Sequence, residues 1–203
     1  MAHSGLLIDF GGVLTSNIFD SFGDFCRAEG LEPDTVRERF LTDTGARELL
    51  EQLEVGGLTE AQFEPRFAEV LGVARHEGLI DRMFAGMRPD TEMVEAVVAA
   101  KRAGVRTGLL SNSWGEDRYD RSRFGDLFDT LVISGEVGLR KPDPAIYALA
   151  CERMELPPER CVFVDDLPGN LKPARALGMA TVLHRDAATT IDELEPLLGV
   201  SLS

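Results

Sequence analysis

Residues 161–175 read CVFVDDLPGNLKPAR. The apolar run Cys161-Val162-Phe163-Val164 ends abruptly in two carboxylates, Asp165 and Asp166, and a helical pattern follows over about 170–177. An apolar run this short, with no polar alternation and a polar stop, reads as a strand buried on both faces, which is the habit of parallel sheets. Working outward, runs of the same kind lie at 6–10, 106–111, 130–134 and 181–184. Helical patterns at about 91–103, 144–153 and 190–198 alternate with them. This alternation predicts an α/β fold with five parallel strands and crossover helices. Pro144 after Asp143, and Thr190 with Glu193 as a capping box, mark two helix starts. The stretch 16–88 breaks the rhythm. It holds no convincing strand but shows helical segments at 46–54 and 59–71, the second opened by a Thr59/Gln62 capping box. Some seventy residues far exceed a βα crossover, so the expected organisation is a core of 1–15 and 89–203 with a helical insertion, 16–88, over one end of the sheet.

Composition narrows the function classes. The chain has 203 residues, 44% hydrophobic and 28% charged, enough for one core with a modest insertion. Twenty-one Lys and Arg against 35 Asp and Glu give a net charge of −14, which repels nucleic acid phosphates and anionic lipid headgroups. Neither nucleic acid nor membrane is therefore an expected partner. No apolar run approaches the roughly 18 residues of a membrane span. The start, MAHSGLLIDFGGVL, lacks a basic stretch and carries Asp9 among its apolar residues, so a cytoplasmic location is expected. Cys26, Cys151 and Cys161 are widely separated and form no CxxC pair, which favours neither a disulfide framework nor a zinc site.

In open α/β sheets ligands bind beyond the carboxyl ends of the strands. Here those ends are polar throughout: Asp9-Phe10-Gly11-Gly12, Ser111-Asn112-Ser113-Trp114, Arg140-Lys141-Pro142 after the third strand, and Asp165-Asp166. Three carboxylates converging on one point would repel by several kcal/mol without a cation between them. Oxygen donors with no nearby His or Cys suit Mg2+, which binds one or two carboxylates together with a substrate phosphate. Lys141 adds a positive charge, and Ser111 and Asn112 can donate to phosphoryl oxygens.

These four segments resemble motifs I to IV of the haloacid dehalogenase superfamily. The likeness extends to the N-terminal phosphatase-like domain of soluble epoxide hydrolases, through Ser111–Trp114, Val137–Pro142 and Val164 to Arg175. The length of 203 residues carries the expectation that no epoxide hydrolase domain follows. The resemblance implies a Rossmann-like, parallel five-stranded core with an α-helical cap inserted after the first strand. It implies a phosphatase in which Asp9 attacks a small organic phosphate monoester to form an aspartyl-phosphate. Ser111, Asn112, Lys141, Gly12 and Asn170 would hold the phosphate or substrate, with Lys141 and Ser111 also catalytic. Asp9, the Gly11 carbonyl, Asp165 and Asp166 would hold Mg2+. The oligomeric state is left open. One departure stands out: such phosphatases usually carry a second Asp two residues after the nucleophile, as general acid and base, and here Gly11 takes its place. A minority branch of the family also reads DxG. General acid–base catalysis contributes roughly 10²- to 10⁴-fold, so its loss could cripple an enzyme without erasing it.

Plainer readings exist for each residue. Asp9 fits a helix cap, Lys141 a solvated surface lysine, Ser111-Asn112 a turn, and Gly11-Gly12 a tight bend of the backbone. Trp114 is expected to be half-buried packing, and the acidic stretch 48–64 a solvated helical face. His3, in a start expected to lack order, His76 and His184 make no triad with a GxSxG serine. Two other functions compete with the phosphatase: a catalytically impaired ligand-binding or regulatory protein, supported by Gly11, and a haloacid dehalogenase, opposed by Asp165-Asp166.

Overall fold

The computed structural model describes residues 2–115 and 119–202. Strand β1 (Gly5–Ile8) is followed by five helices, α1 (Ile18–Ala28), α2 (Thr35–Thr42), α3 (Thr44–Glu54), α4 (Glu60–Leu71) and α5 (Leu79–Phe84). Then come α6 (Thr91–Arg102), β2 (Arg106–Ser111), α7 (Phe124–Leu127), β3 (Thr130–Ile133), α8 (Ser134–Val137) and α9 (Pro144–Met154). The chain closes with β4 (Cys161–Asp165), α10 (Pro168–Ala176), β5 (Ala180–Leu183) and α11 (Ala187–Leu198). The five strands form one sheet in the order β3-β2-β1-β4-β5. Every neighbouring pair is parallel, and Gly5 lies between Arg106 and Cys161.

Because side chains alternate across a strand, β1 feeds two cores. Leu6 and Ile8 pack with Val97 of α6 and Leu194 of α11 on one face. Leu7 packs with Tyr147 of α9 and Leu171 of α10 on the other. Burial on both faces is what made these strands read as unbroken apolar runs, and each fully buried Leu, Ile or Phe contributes about 1.5–3 kcal/mol. Helix α9 begins as expected, with the Asp143 carboxylate accepting the Ala145 N–H (2.9 Å) ahead of Pro144.

Two details differ from the sequence reading. Helix α11 starts at Ala187, where the Asp186 carboxylate accepts the Thr189 N–H (2.8 Å), and not at a Thr190/Glu193 capping box. Thr190 lies inside the helix, buried, with its hydroxyl 2.9 Å from His184 Nδ1. The N-terminal start is also tied down: the His3 N–H donates to the Leu197 carbonyl (2.9 Å), and the Ser4 N–H to that of Arg160 (2.9 Å). All three cysteines are free, although the fold brings Cys151 Sγ and Cys161 Sγ to 3.9 Å.

Helices α1–α5 bury a third core of their own, with Phe22, Phe25, Phe63, Phe67 and Met83 in it. The chain enters and leaves this bundle through neighbouring segments, where Thr15 and Pro89 bridge and the Ser16 N–H donates to the Arg88 carbonyl (2.7 Å). At the start of α4, the Gln62 amide oxygen accepts the Thr59 N–H (3.0 Å). The acidic stretch is not uniformly solvated. Glu48 and Glu51 are exposed, but Glu64 accepts the Gly78 and Ile80 N–H groups (3.0 Å each) at the start of α5, and Glu54 is buried.

Candidate active site

Strand order decides where the chemistry gathers. From β1 the chain moves to β2 and β3 on one side, and later to β4 and β5 on the other, so a crevice opens above the carboxyl ends of β1 and β4. Asp9 follows β1, its N–H still in the ladder with the Val164 carbonyl (3.0 Å). The Phe10 N–H donates to Asp9 Oδ1 (2.7 Å) and fixes the carboxylate. Asp165 ends β4 and is fully buried, accepting the Leu167 N–H (2.8 Å) and the Asn170 amide (3.0 and 3.1 Å). Lys141, only 1% exposed, places its ammonium 2.8 Å from Asp9 Oδ1 and 2.7 Å from Asp165 Oδ2. Asp166 completes the cluster: the three carboxylates offer oxygens that lie within 4.8 Å of one another.

One ammonium leaves this cluster with surplus negative charge. Burial pushes the Asp9 carboxyl far above the usual carboxylate range, with Asp165 adding to the shift and Lys141 opposing it. Burial, then the charge of Asp165, moves Asp166 up to about 6. For Lys141, desolvation disfavours the charge, but Asp165 and Asp9 outweigh it and hold the ammonium more firmly protonated than usual. Three converging oxygen donors with unmet negative charge fit a hard divalent cation such as Mg2+. Gly12 makes the close approach possible, since a Cβ there would lie 2.5 Å from Asp166 Oδ2 and its φ is +78°.

The other expected residues reach the site in different ways. Ser111, at the end of β2, is buried and its Oγ accepts the Tyr119 hydroxyl (2.9 Å). Asn112 lines the crevice, yet its side chain holds the Lys141 backbone from both ends, accepting the N–H (2.8 Å) and donating to the carbonyl (3.0 Å). Asn170 likewise gives its amide to Asp165, while its carbonyl accepts the Tyr147 hydroxyl (2.7 Å). Gly12, expected to bind phosphate, has its N–H engaged by Thr15 Oγ1 (3.1 Å). Gly11 sits against the insertion: a Cβ there would come 2.4 Å from Ile18 Cδ1, in the first turn of α1.

Above the polar floor lies a cavity of about 720 Å³ walled by the insertion, with Phe19, Phe22, Phe40, Phe84, Leu50 and Trp114 among its lining residues. Trp114 is half-buried as expected, with its ring 5.5 Å from Phe22 and 5.1 Å from Phe84, so it both packs and lines. Leu41 and Leu167, which are 63% and 41% exposed, lie along the same cavity.

Residues 3–178 match the haloacid dehalogenase-like hydrolase family. This chain belongs to that family. The chain is 32% identical over 168 residues to bifunctional epoxide hydrolase 2 of Rattus norvegicus, covering 73% of this chain. It spans only about a quarter to a third of the length of such bifunctional enzymes. It is 30% identical over 116 residues to the sesquiterpene phosphatase astK of Aspergillus oryzae, covering 56% of this chain and 59% of that one. Among solved structures, the HAD family enzyme bt-2542 of Bacteroides thetaiotaomicron superposes with a TM-score of 0.71 at 25% identity, covering 91% of this chain and 95% of that one. The same neighbour has been solved in complex with magnesium and inorganic phosphate.

Sequence reasoning missed four side chains of this site. Ile18 and Tyr119 line the cavity, Glu54 reaches it from α3, and Arg140, the chain neighbour of Lys141, ties that segment to α3. Arg140 stood in a quoted motif but was given no task. Glu54 lay in an acidic stretch in which nothing local distinguishes a buried carboxylate from a solvated one.

Proposed function

We propose that this hydrolase is a Mg2+-dependent phosphomonoesterase acting on a small organic phosphate with an apolar alcohol portion. The observation that carries this reading is the buried Asp9–Lys141–Asp165 ion-pair cluster beside Asp166, opening into a cavity with aromatic walls. Asp9 would attack phosphorus in line, forming its bond to the phosphoryl group as the ester P–O bond breaks and the electron pair leaves with the alkoxide. Lys141 would neutralise charge on Asp9 and on the phosphoryl oxygens, and Ser111 would donate to one of them. Asp9, Asp165, Asp166 and the Gly11 carbonyl are the proposed ligands of Mg2+, which when bound polarises the phosphoryl group. Because two of their side chains are already committed, Asn112 is assigned to holding Lys141 in place and Asn170 to holding Asp165. Residues 16–88 are taken as a cap over a core of 1–15 and 89–203, with the cap selecting the alcohol and excluding water. The name of the Aspergillus relative, a sesquiterpene phosphatase, supports an apolar alcohol. Three free cysteines, two of them within 3.9 Å and unbonded, fit a reducing cytoplasm.

The test is an aryl phosphate assayed with Mg2+ and in excess EDTA. Turnover is expected only with the metal, and Asp9→Asn should lower it by at least ~10³-fold with the fold intact. Full activity in EDTA would overturn the reading. A second reading, a relative that binds phosphate esters but no longer turns them over, is favoured by Gly11 and by the Ile18 side chain filling the space beside it. Saturable binding of phosphate with Mg2+, and no release from any ester, would establish it.

A further inference from the structure

Glu54 is a carboxylate only 5% exposed, carried on the insertion and yet pointed at the core. Its side chain accepts from Arg140 Nε (2.5 Å), and the Arg140 charge, then the neighbouring Asn112 side chain, oppose the upward push of burial on its carboxyl. Its backbone carbonyl accepts the Ser134 hydroxyl (2.5 Å). Beside it, Gly56 runs so close to α8 that a Cβ would lie 2.8 Å from the Gly135 carbonyl. The C-terminal end of α3 is therefore docked on the core, and a buried charge makes the contact. Both neighbours of that charge act on one residue. Arg140 is the chain neighbour of Lys141, and Asn112 holds the Lys141 N–H and carbonyl (2.8 and 3.0 Å). The Lys141 ammonium in turn spans Asp9 and Asp165.

We propose that Glu54 is a positioning residue that couples the seating of the insertion to the placement of the Lys141 ammonium. Glu54 touches no reacting atom. It holds Arg140, the chain neighbour of Lys141, beside Asn112, whose side chain holds the Lys141 backbone. When α3 is seated, the ammonium is held between Asp9 and Asp165. When α3 lifts, Glu54 leaves, Arg140 turns to solvent, and one of the two holds on the Lys141 segment is lost. Access to the cavity and competence of the lysine are then a single event, so the site does not act while open. A misplaced catalytic charge lowers turnover even at full substrate occupancy, because the interaction belongs to the transition state.

This inference rests on the proposed phosphatase reading for its kinetic part only, so the test has two readouts. The first is the rate at which acetic anhydride acetylates Lys141, followed by mass spectrometry and independent of any activity. The second is kcat and KM on an aryl phosphate at saturating Mg2+. In Glu54→Gln, Lys141 acetylation is expected to rise at least about fivefold, and kcat to fall about tenfold with a smaller change in KM. Arg140→Gln should reproduce both effects, and the double variant should be no worse than the single ones, since all three break one link. Glu51→Gln, which removes only the exposed partner of Arg140 Nη1 (3.1 Å), should leave acetylation unchanged. Should either variant fail to fold, the other carries the same reading: Glu54→Gln strands Arg140, whose side chain is 26% exposed, and Arg140→Gln leaves the Glu54 carboxyl, which burial already pushes towards its neutral form. Unchanged Lys141 acetylation in a folded variant, or losses that multiply in the double variant, would overturn the coupling. An inactive wild type with the acetylation pattern intact would overturn the phosphatase reading and leave the coupling standing.

Discussion

Gly11 is where a general acid would sit, and the structure gives that absence a neighbour. The Ile18 methyl occupies the place of a Cβ, at 2.4 Å, but it is the far end of a flexible side chain and can turn away. Gly11→Asp alone is therefore expected to disturb the first turn of α1, whereas Gly11→Asp with Ile18→Ala should seat a carboxylate. A missing acid hurts most when the leaving group is poor, so the double variant should raise kcat/KM for an alkyl phosphate more than for an aryl phosphate, by about tenfold or more in their ratio. Equal ratios in the double variant and in Ile18→Ala would show that another group already protonates the leaving oxygen. At this scale the sequence was informative about which residues meet and less so about what they touch. Asp9, Asp165 and Asp166 could be found because they stand at strand ends, where open α/β sheets bind their ligands, and Lys141 because it lies in a segment that resembles a family motif. The engagement of Asn112 with Lys141 depends on the distance between two separate loops, which no local pattern encodes, whereas Asn170 meets Asp165 across the turn from β4 into α10, five residues on.

Elements were legible to the degree that their signals are local. Strands buried on both faces announce themselves as apolar runs, and all five were placed within a residue or two of their observed bounds. Helix starts were harder, because several side chains near a terminus can cap it. The sequence reading started the last helix at Thr190, but tertiary contact draws Thr190 inward to His184, and Asp186 caps α11 instead. Asp186→Ala should therefore lower the urea midpoint with no change in m, and Glu193→Ala should leave the midpoint within error. The opposite ranking would restore the capping box. Helices α1, α2 and α5 were only implied by the length of the insertion. Their apolar faces close on one another, and short amphipathic segments are weakly specified until they do.

For the whole molecule, the concentration of negative charge at one crevice has a thermodynamic signature. Carboxyls whose folded pKa lies above the unfolded value bind protons more tightly in the native state, so the metal-free protein should lose stability as pH rises from about 4. The Asp166 contribution is complete by about pH 6, and Asp9 extends the decline in the same direction beyond it. A divalent cation on the same oxygens compensates the charge and should remove the slope. Melting temperature in EDTA is thus expected to fall between pH 5 and pH 8, and the gain on adding Mg2+ to be larger at pH 8 than at pH 5. A gain that shrinks with rising pH would contradict a metal held by these three residues.

Strand order also bears on how the chain assembles as it emerges from the ribosome. Strand β1 is made first, yet its neighbours begin at Arg106 and Cys161, so the middle of the sheet must wait unpaired while most of the molecule is synthesised. Helices α1 to α5 follow immediately and carry a hydrophobic core among themselves. Local contacts form fast and distant ones slowly, so this bundle is expected to condense first, with β1 held at its base until the later strands arrive. During that interval an apolar strand with two open edges is exposed to the cell, and the nascent chain is more vulnerable to aggregation than the folded protein.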